Sequence, residues 1–478
     1  MSARFFLRWL AVVYLLAFWS LGTQILGLVG SHGILPVADF LPMVKQYLGP
    51  KHVWQLPTLC WLNASDAFLL FLCAGGCVLA VFLACGILPW LSAFLLWLFY
   101  LSITVAGQTF LGFQWDNLLL ETGFLAIFLL PPRWHWRWQR EDGPSWVIVW
   151  LLRLVLFKMM FQSGVVKLLS GDPHWANMTA LHYHYLTQPL PNAISWYFAQ
   201  LPMWFDRLSC ILVFALELVV PFFMFCGRIG RWAAFWSLSA LQVLIILTGN
   251  YGFFNILTIG LCFALLDDAQ LAWLFSFIRR PEVPQPRPAP RWYKVETILV
   301  GLIVFGISAI QMGMMFDRAL PKPLLAVVRF SAPFRSINNY GLFAVMTTER
   351  DEIVLEGSND GRLWKPYAFP WKPGNVKEAP HWAMPHQPRL DWQMWFAALG
   401  NYRNNPWVLK MMAAVLKGEK PVLALFKTNP FPQKPPRYLR AAFYKYEFTN
   451  FTTRHKTGAW WQRQKKGLYV PVLSLSHS

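Results

Sequence analysis

Nine apolar stretches dominate the first two thirds of the chain, near residues 10–29, 66–86, 87–106, 117–132, 146–168, 209–226, 232–249, 251–266 and 296–315. Most are long enough to cross a bilayer as a helix, and the charged residues fall mainly between them. The fourth and eighth are short, so either also reads as a re-entrant or strongly buried segment. Composition points the same way: of 478 residues, 56% are apolar, 14% are charged and 27 are Trp. That mix lies outside the globular range and makes the chain an integral membrane protein. The first apolar run continues past any small-residue cleavage site, so a cleavable leader is not expected.

Charge divides the chain. Residues 1–315 carry a net +5 and residues 316–478 a net +14. The basic C-terminal part suits a solvated face, anionic lipid headgroups or an acidic partner. Its basic residues are scattered among Trp, Pro and acids and form no nucleic-acid module, so nucleic acid is not an expected partner. All seven cysteines (Cys60, Cys73, Cys77, Cys85, Cys210, Cys226 and Cys262) lie in or beside apolar runs, so no disulfide framework is expected in the C-terminal part.

Loop charges orient the spans, because Lys and Arg stay on the cytoplasmic side of short loops. The basic clusters are Arg4 and Arg8; Arg133, Arg137 and Arg140; Arg228 and Arg231; and Arg279, Arg280, Arg287, Arg291 and Lys294. With nine spans all four fall on one side. The N-terminus is then cytoplasmic and the C-terminal part lies across the membrane, in a periplasm or an endoplasmic reticulum lumen. Asn-X-Ser/Thr sequons at Asn63, Asn177 and Asn450 fall on that far side.

After a Pro-rich linker at 280–291 and a last span, the pattern changes to short alternating runs. Strands are expected at 340–346, 352–357, 363–369, 438–449 and 458–470, with a turn at 358–361, and helices at 391–399, 406–417 and 421–427. The expected fold is an all-α polytopic membrane helix bundle of about nine spans (1–315) followed by a smaller α+β extramembrane C-terminal domain (316–478).

Charges inside apolar runs are costly and mark polar networks or sites. Asp116 and Glu121 stand at the mouth of the fourth stretch, five residues apart and on different helix faces. Arg153, Lys158 and Lys167 lie in the fifth stretch and Glu217 in the sixth. These six form the expected bundle network, with Glu217 neutralising Arg153 or Lys158. On the far side Lys167, Asp172, His174, His182 and His184 are placed to converge at the bundle mouth. A helix would splay His182 and His184 and no third ligand is evident, so neither a metal nor another cofactor is expected. In the C-terminal part, His386, Arg389 and Asp391 read as an internal network ahead of a helix.

Several long stretches carry a resemblance: GFQWDNLLLETGFLAIFLLPP (112–132), FQSGVVKLLSGDPHW (161–175), ALHYHYLTQPLPNAISWY (180–197), NYGFFNILTI (250–259), INNYGLFAVMTTERDEIVLEGSNDG (337–361) and HQPRLDWQMWFAAL (386–399). Together they resemble the lipase maturation factor family. The resemblance implies a polytopic protein, in the endoplasmic reticulum membrane or, for a bacterial relative, the inner membrane. It also implies that the chain assists folding and assembly of exported proteins such as lipases. Membrane lipids and an exported client are the implied partners, with Trp392, Trp395, Trp460 and Trp461 as the expected client or lipid contacts. The chain ends without an endoplasmic reticulum retention tetrapeptide and has no cysteines in its C-terminal part, which fits the bacterial setting.

A shorter similarity suggests an alternative. Gly164 to Leu168, followed by Asp172 and Trp175, is similar to the lysine-bearing segment of the vitamin K-dependent carboxylase. It implies a membrane enzyme using Lys167 as a base on a lipophilic quinol or lipid, with Asp172, His182 and His184 nearby. A transporter is less well supported, since no inverted repeat or pair of broken helices stands out.

Overall fold

The computed structural model describes residues 2–132, 143–275, 289–316 and 320–475. Arg133, Arg137, Arg140, Arg279, Arg280, Arg287, most of the Pro-rich linker and the last three residues lie outside that set.

Among the described residues, seven helices are long and apolar enough to span a membrane. Two shorter helices fill the positions of the short fourth and eighth stretches. In chain order the helices are α1 (Ser2–Gly22), α2 (Asp66–Cys85), α3 (Pro89–Ala106), α4 (Gln114–Ile127), α5 (Trp146–Leu169), α6 (Met203–Phe225), α7 (Gly227–Thr248), α8 (Phe254–Leu265) and α9 (Arg291–Phe316). The two short ones, α4 and α8, are almost wholly buried among the others.

Helix boundaries follow local chemistry. Ser65 caps α2 by accepting from the Phe68 amide, and Gly86 closes it in a left-handed conformation. Close crossings need glycine: a Cβ at Gly123 of α4 would collide with the Tyr14 hydroxyl of α1. A Cβ at Gly164 of α5 would lie 2.6 Å from Leu218 of α6.

A surface helix, α10 (Lys322–Ser331), follows the last span with no residue fully buried. The C-terminal domain then folds around a four-stranded antiparallel sheet of order β2-β1-β3-β4, with β1 (Arg350–Ser358), β2 (Lys365–Pro366), β3 (Tyr438–Phe448) and β4 (Trp461–Leu473). Ser358–Gly361 forms the expected turn, in which Asp360 accepts from the Arg362 and Leu363 amides. Helices α11 (Arg389–Ala398) and α12 (Pro406–Lys417) join the sheet to the bundle, and one hydrophobic core runs without a break from Leu10 of α1 to Val470 of β4.

One expected strand is corrected. Residues 340–346 are irregular backbone threaded between bundle helices. There the amides of Tyr340, Gly341 and Met346 and the carbonyl of Gly341 pair with bundle and turn side chains rather than with a neighbouring strand.

The domain sits on one end of the bundle. There it meets the C-terminal ends of α1 and α7, the turn between α3 and α4, and the loop after α5, through Ser20–Gln387, Asn250–Ala383, Thr109–Gln393 and Leu186–Arg350 contacts. The opposite end gathers the start of α1, the end of α2 and the start of α7, with Arg8 donating to the Ala84 carbonyl and Arg231 to Leu265.

Candidate functional site at the bundle–domain junction

Four buried ionic groups hold the junction. In the first, Asp116 at the start of α4 receives both arms of Arg389 from α11 at 2.7 Å each. The Tyr100 hydroxyl donates to the same carboxylate at 2.6 Å, and the Gly112 and Phe113 amides at 3.0 and 3.1 Å. Asp116 therefore caps α4, and the fixed fork of Arg389 matches its two oxygens. Next to it, His386 contacts Ser20, and burial followed by the Arg389 charge pushes its pKa down to about 4.

In the second, Lys158 of α5 donates to Glu121 at 2.6 Å and also reaches Ser308 and the Asn338 carbonyl. The other oxygen of Glu121 accepts from the Tyr340 hydroxyl at 2.6 Å and from the Asn338 amide at 3.1 Å. Gln162 accepts from the Tyr340 amide, and Gln114 bonds both the amide and the carbonyl of Gly341. The threaded segment thus supplies the hydrogen bonds that a charge buried among helices requires.

The third joins Lys167 of α5 to both oxygens of Glu217 at 2.8 and 2.7 Å. Glu217 lies on a π-helical turn, Ala215–Val219, packed against Gly164. This corrects the expected pairing of Glu217 with Arg153 or Lys158. Glu217 packs against Gly164, about one turn before Lys167 on α5, which puts its carboxylate within reach of Lys167, while Lys158 is already held by Glu121. Arg153 donates instead to the Ala264 carbonyl at 2.8 Å and stacks over Trp150.

In the fourth, Arg350 of β1 donates to Glu352 at 2.7 Å and to the Leu186, Gln188 and Pro189 carbonyls in the connection between α5 and α6. Lys372 completes this group at 2.7 Å from Glu352. The loop itself is braced by the Tyr251 hydroxyl, which donates to Gln188 and lies 3.2 Å from His184. Burial, then the Lys167 charge, lowers the His184 pKa to about 4, so this imidazole is neutral. Burial raises the pKa of Asp391 to about 6, although its carboxylate accepts from the Trp371 and Lys372 amides.

The expected convergence at the bundle mouth is also corrected. Asp172 caps the Pro173–Ala176 turn and accepts from the Met346 amide at 2.6 Å. His174 meets Thr179, and His182 meets Asp206 at 3.1 Å. The helix Ala180–Thr187 points His182 and His184 in different directions. Among the described residues, no group of three or more His, Cys, Asp or Glu is arranged to hold a metal ion.

The four tryptophans expected as an exposed contact face are placed otherwise. Trp392, Trp395 and Trp461 are buried, at 3%, 9% and 2% exposure. Trp392 packs edge-on against Trp115 of α4, the Trp395 indole donates to the Thr187 carbonyl, and Trp461 packs on Phe448. Trp460 is half-buried with the Arg454 guanidinium 3.4 Å above its ring and Trp196 alongside. Trp392 and Trp395 thus pack against the membrane part, and Trp461 packs within the sheet.

Sequence reasoning missed Tyr100, Gln162, Tyr251, Asn338, Tyr340 and Arg350 as network members. The available signal was two carboxylates in an apolar run with no nearby cation, which demands partners from elsewhere in the chain.

The chain matches the family model described as the lipase maturation factor transmembrane domain over residues 1–273, and that of the lipase maturation factor C-terminal domain over residues 336–471. It is 36% identical to lipase maturation factor 2 of Gallus gallus, covering 98% of this chain and 81% of that protein. It is 35% identical to lipase maturation factor 2 of Homo sapiens, covering 98% and 82%, and 34% identical to lipase maturation factor 1 of Mus musculus, covering 98% and 86%. No solved structure matches. With both halves matched in order and relatives aligned along nearly its whole length, this chain belongs to the lipase maturation factor family.

Proposed function

We propose that this chain is a membrane-embedded maturation factor that assists folding and assembly of exported lipases. Residues 1–315 form its membrane part, and residues 316–478 form the far-side domain that meets the client. The observation that carries this reading is the end-to-end similarity to lipase maturation factors 1 and 2. The same relatives favour the endoplasmic reticulum membrane. The N-terminus is then cytoplasmic, in keeping with Arg8, Arg228 and Arg231 at the end of the bundle away from the domain.

In this reading the buried charges are structural. Lys167 and Glu217 lock α5 to α6, and Glu121, Lys158, Asp116 and Arg389 hold the domain rigidly on the bundle. Lys167 is engaged by both carboxylate oxygens of Glu217, which favours a packing role over a base.

The test is co-expression of a secreted lipase with this chain in cells lacking their own maturation factor. Secreted lipase activity per unit of lipase protein is the readout. A rise that requires the chain supports the proposal. Unchanged specific activity with abundant, folded chain overturns it.

A further inference from the structure

An apolar cavity of about 390 Å³ opens on the flank of the bundle, and no member of the four ionic groups lines it. Its walls come from Trp54, Trp97, Phe124, Ile303, Val327 and Phe330, and the only hydroxyls lining it among the described residues are Ser331 and Ser336. Ile303 on α9 is 59% exposed, so the cavity is continuous with the outer face of a spanning helix and opens sideways.

The roof is α10. Val327 and Phe330 look into the cavity, whereas Lys322 and Arg329, seven residues apart, share the other side of the helix. A helix with that division lies flat at a membrane surface, its apolar side sunk and its cations at headgroup level. Trp54, from the short helix His52–Gln55, closes the cavity beside it, with its ring 4.5 Å from Phe330 and 4.8 Å from Phe334. Lys51 directly precedes that short helix. Lys51, Lys322 and Arg329 make no ion pair among the described residues, unlike the buried cations of the junction. An apolar slot open to hydrocarbon, roofed by an interfacial helix with unpaired cations above it, matches one ligand chemistry.

We propose that this cavity is a phospholipid site. One acyl chain lies between α9 and α10, and the phosphate is met by Lys51 and Arg329 at the rim. The site lies at the foot of the C-terminal domain and stands independently of the identity of any client.

The test uses the full chain in nanodiscs of phosphatidylcholine containing a trace of phosphatidylglycerol with a diazirine on one acyl chain. Cross-linked residues are mapped by mass spectrometry. The expected result is labelling concentrated at 303–307 and 327–337. It should fall about tenfold when Ile303→Trp and Val327→Trp together fill the slot, while labelling of Val243 and Leu244 on α7 stays unchanged. Both substituted positions are exposed, so the bundle core is left intact. Lys51→Glu with Arg329→Glu, also at the surface, should lower the same labelling without filling the cavity. Labelling spread evenly over all outward-facing helices, or indifferent to both pairs of substitutions, overturns the proposal, as does recovery of a client peptide rather than lipid at 327–337.

Discussion

At the scale of single residues, the junction rests on charges that are stable only in pairs. Asp116 and Arg389 come from positions 273 residues apart, yet both are essentially without solvent contact. Replacing Arg389 by Met leaves a carboxylate buried without its cation, which costs about 3–5 kcal/mol. Adding Asp116→Leu removes the orphaned charge but leaves the Tyr100 hydroxyl and the Gly112 and Phe113 amides without their acceptor, so it should recover only part of that loss. Thermal melting of the purified single and double variants checks this, and equal melting temperatures for the two would show that the pair is not coupled. Asp116 and Glu121 were recognisable from the sequence as acids needing partners. Their partners were not, because an ion pair leaves no spacing rule once its members lie on separate elements.

At the scale of elements, the segment between α10 and β1 behaves as an inserted strap. Its backbone is irregular, so its polar groups depend on side chains from α4, α5 and the turn after α5. Asp172 ties the segment to that turn, accepting from the His174 amide of the turn at 2.7 Å and from the Met346 amide of the segment at 2.6 Å. Asp172→Ala removes a cap and strands a buried amide, a combined loss of about 2–3 kcal/mol. Limited proteolysis should then cut faster within residues 338–349, with the cleavage rate elsewhere unchanged. An unaltered rate in that segment would mean that other contacts hold it. The alternating pattern at 340–346 imitates a strand although only Tyr340 and Met346 are buried there, because alternation in sequence does not record the identity of the hydrogen-bond partner.

At the scale of the whole molecule, the domain caps one end of the bundle, and Arg8, Arg228 and Arg231 lie at the other. Asn63, Asn177 and Asn450 all lie on exposed loops or turns near the capped end. In microsomes of the endoplasmic reticulum, each should carry a glycan, and each Asn→Gln substitution should remove one band shift that glycosidase also removes. Absence of glycans at all three, with glycosylation of a sequon engineered between α2 and α3, would invert the orientation.

The sequence by itself determined that this is a membrane bundle with an α+β domain behind it, where most spans lie, and which family it resembles. Those properties depend on hydrophobic runs, charge balance and local turns, all of which are written in neighbouring residues. Only the tertiary structure decided that Glu217 belongs to Lys167, that Glu121 belongs to Lys158 and Tyr340, and that the tryptophans of α11 face inward. Pairing and facing depend on how far each helix is rotated and how closely it can approach its neighbour. At Gly123 and Gly164 a missing side chain sets that approach, and its effect appears only when the partner helix is in place.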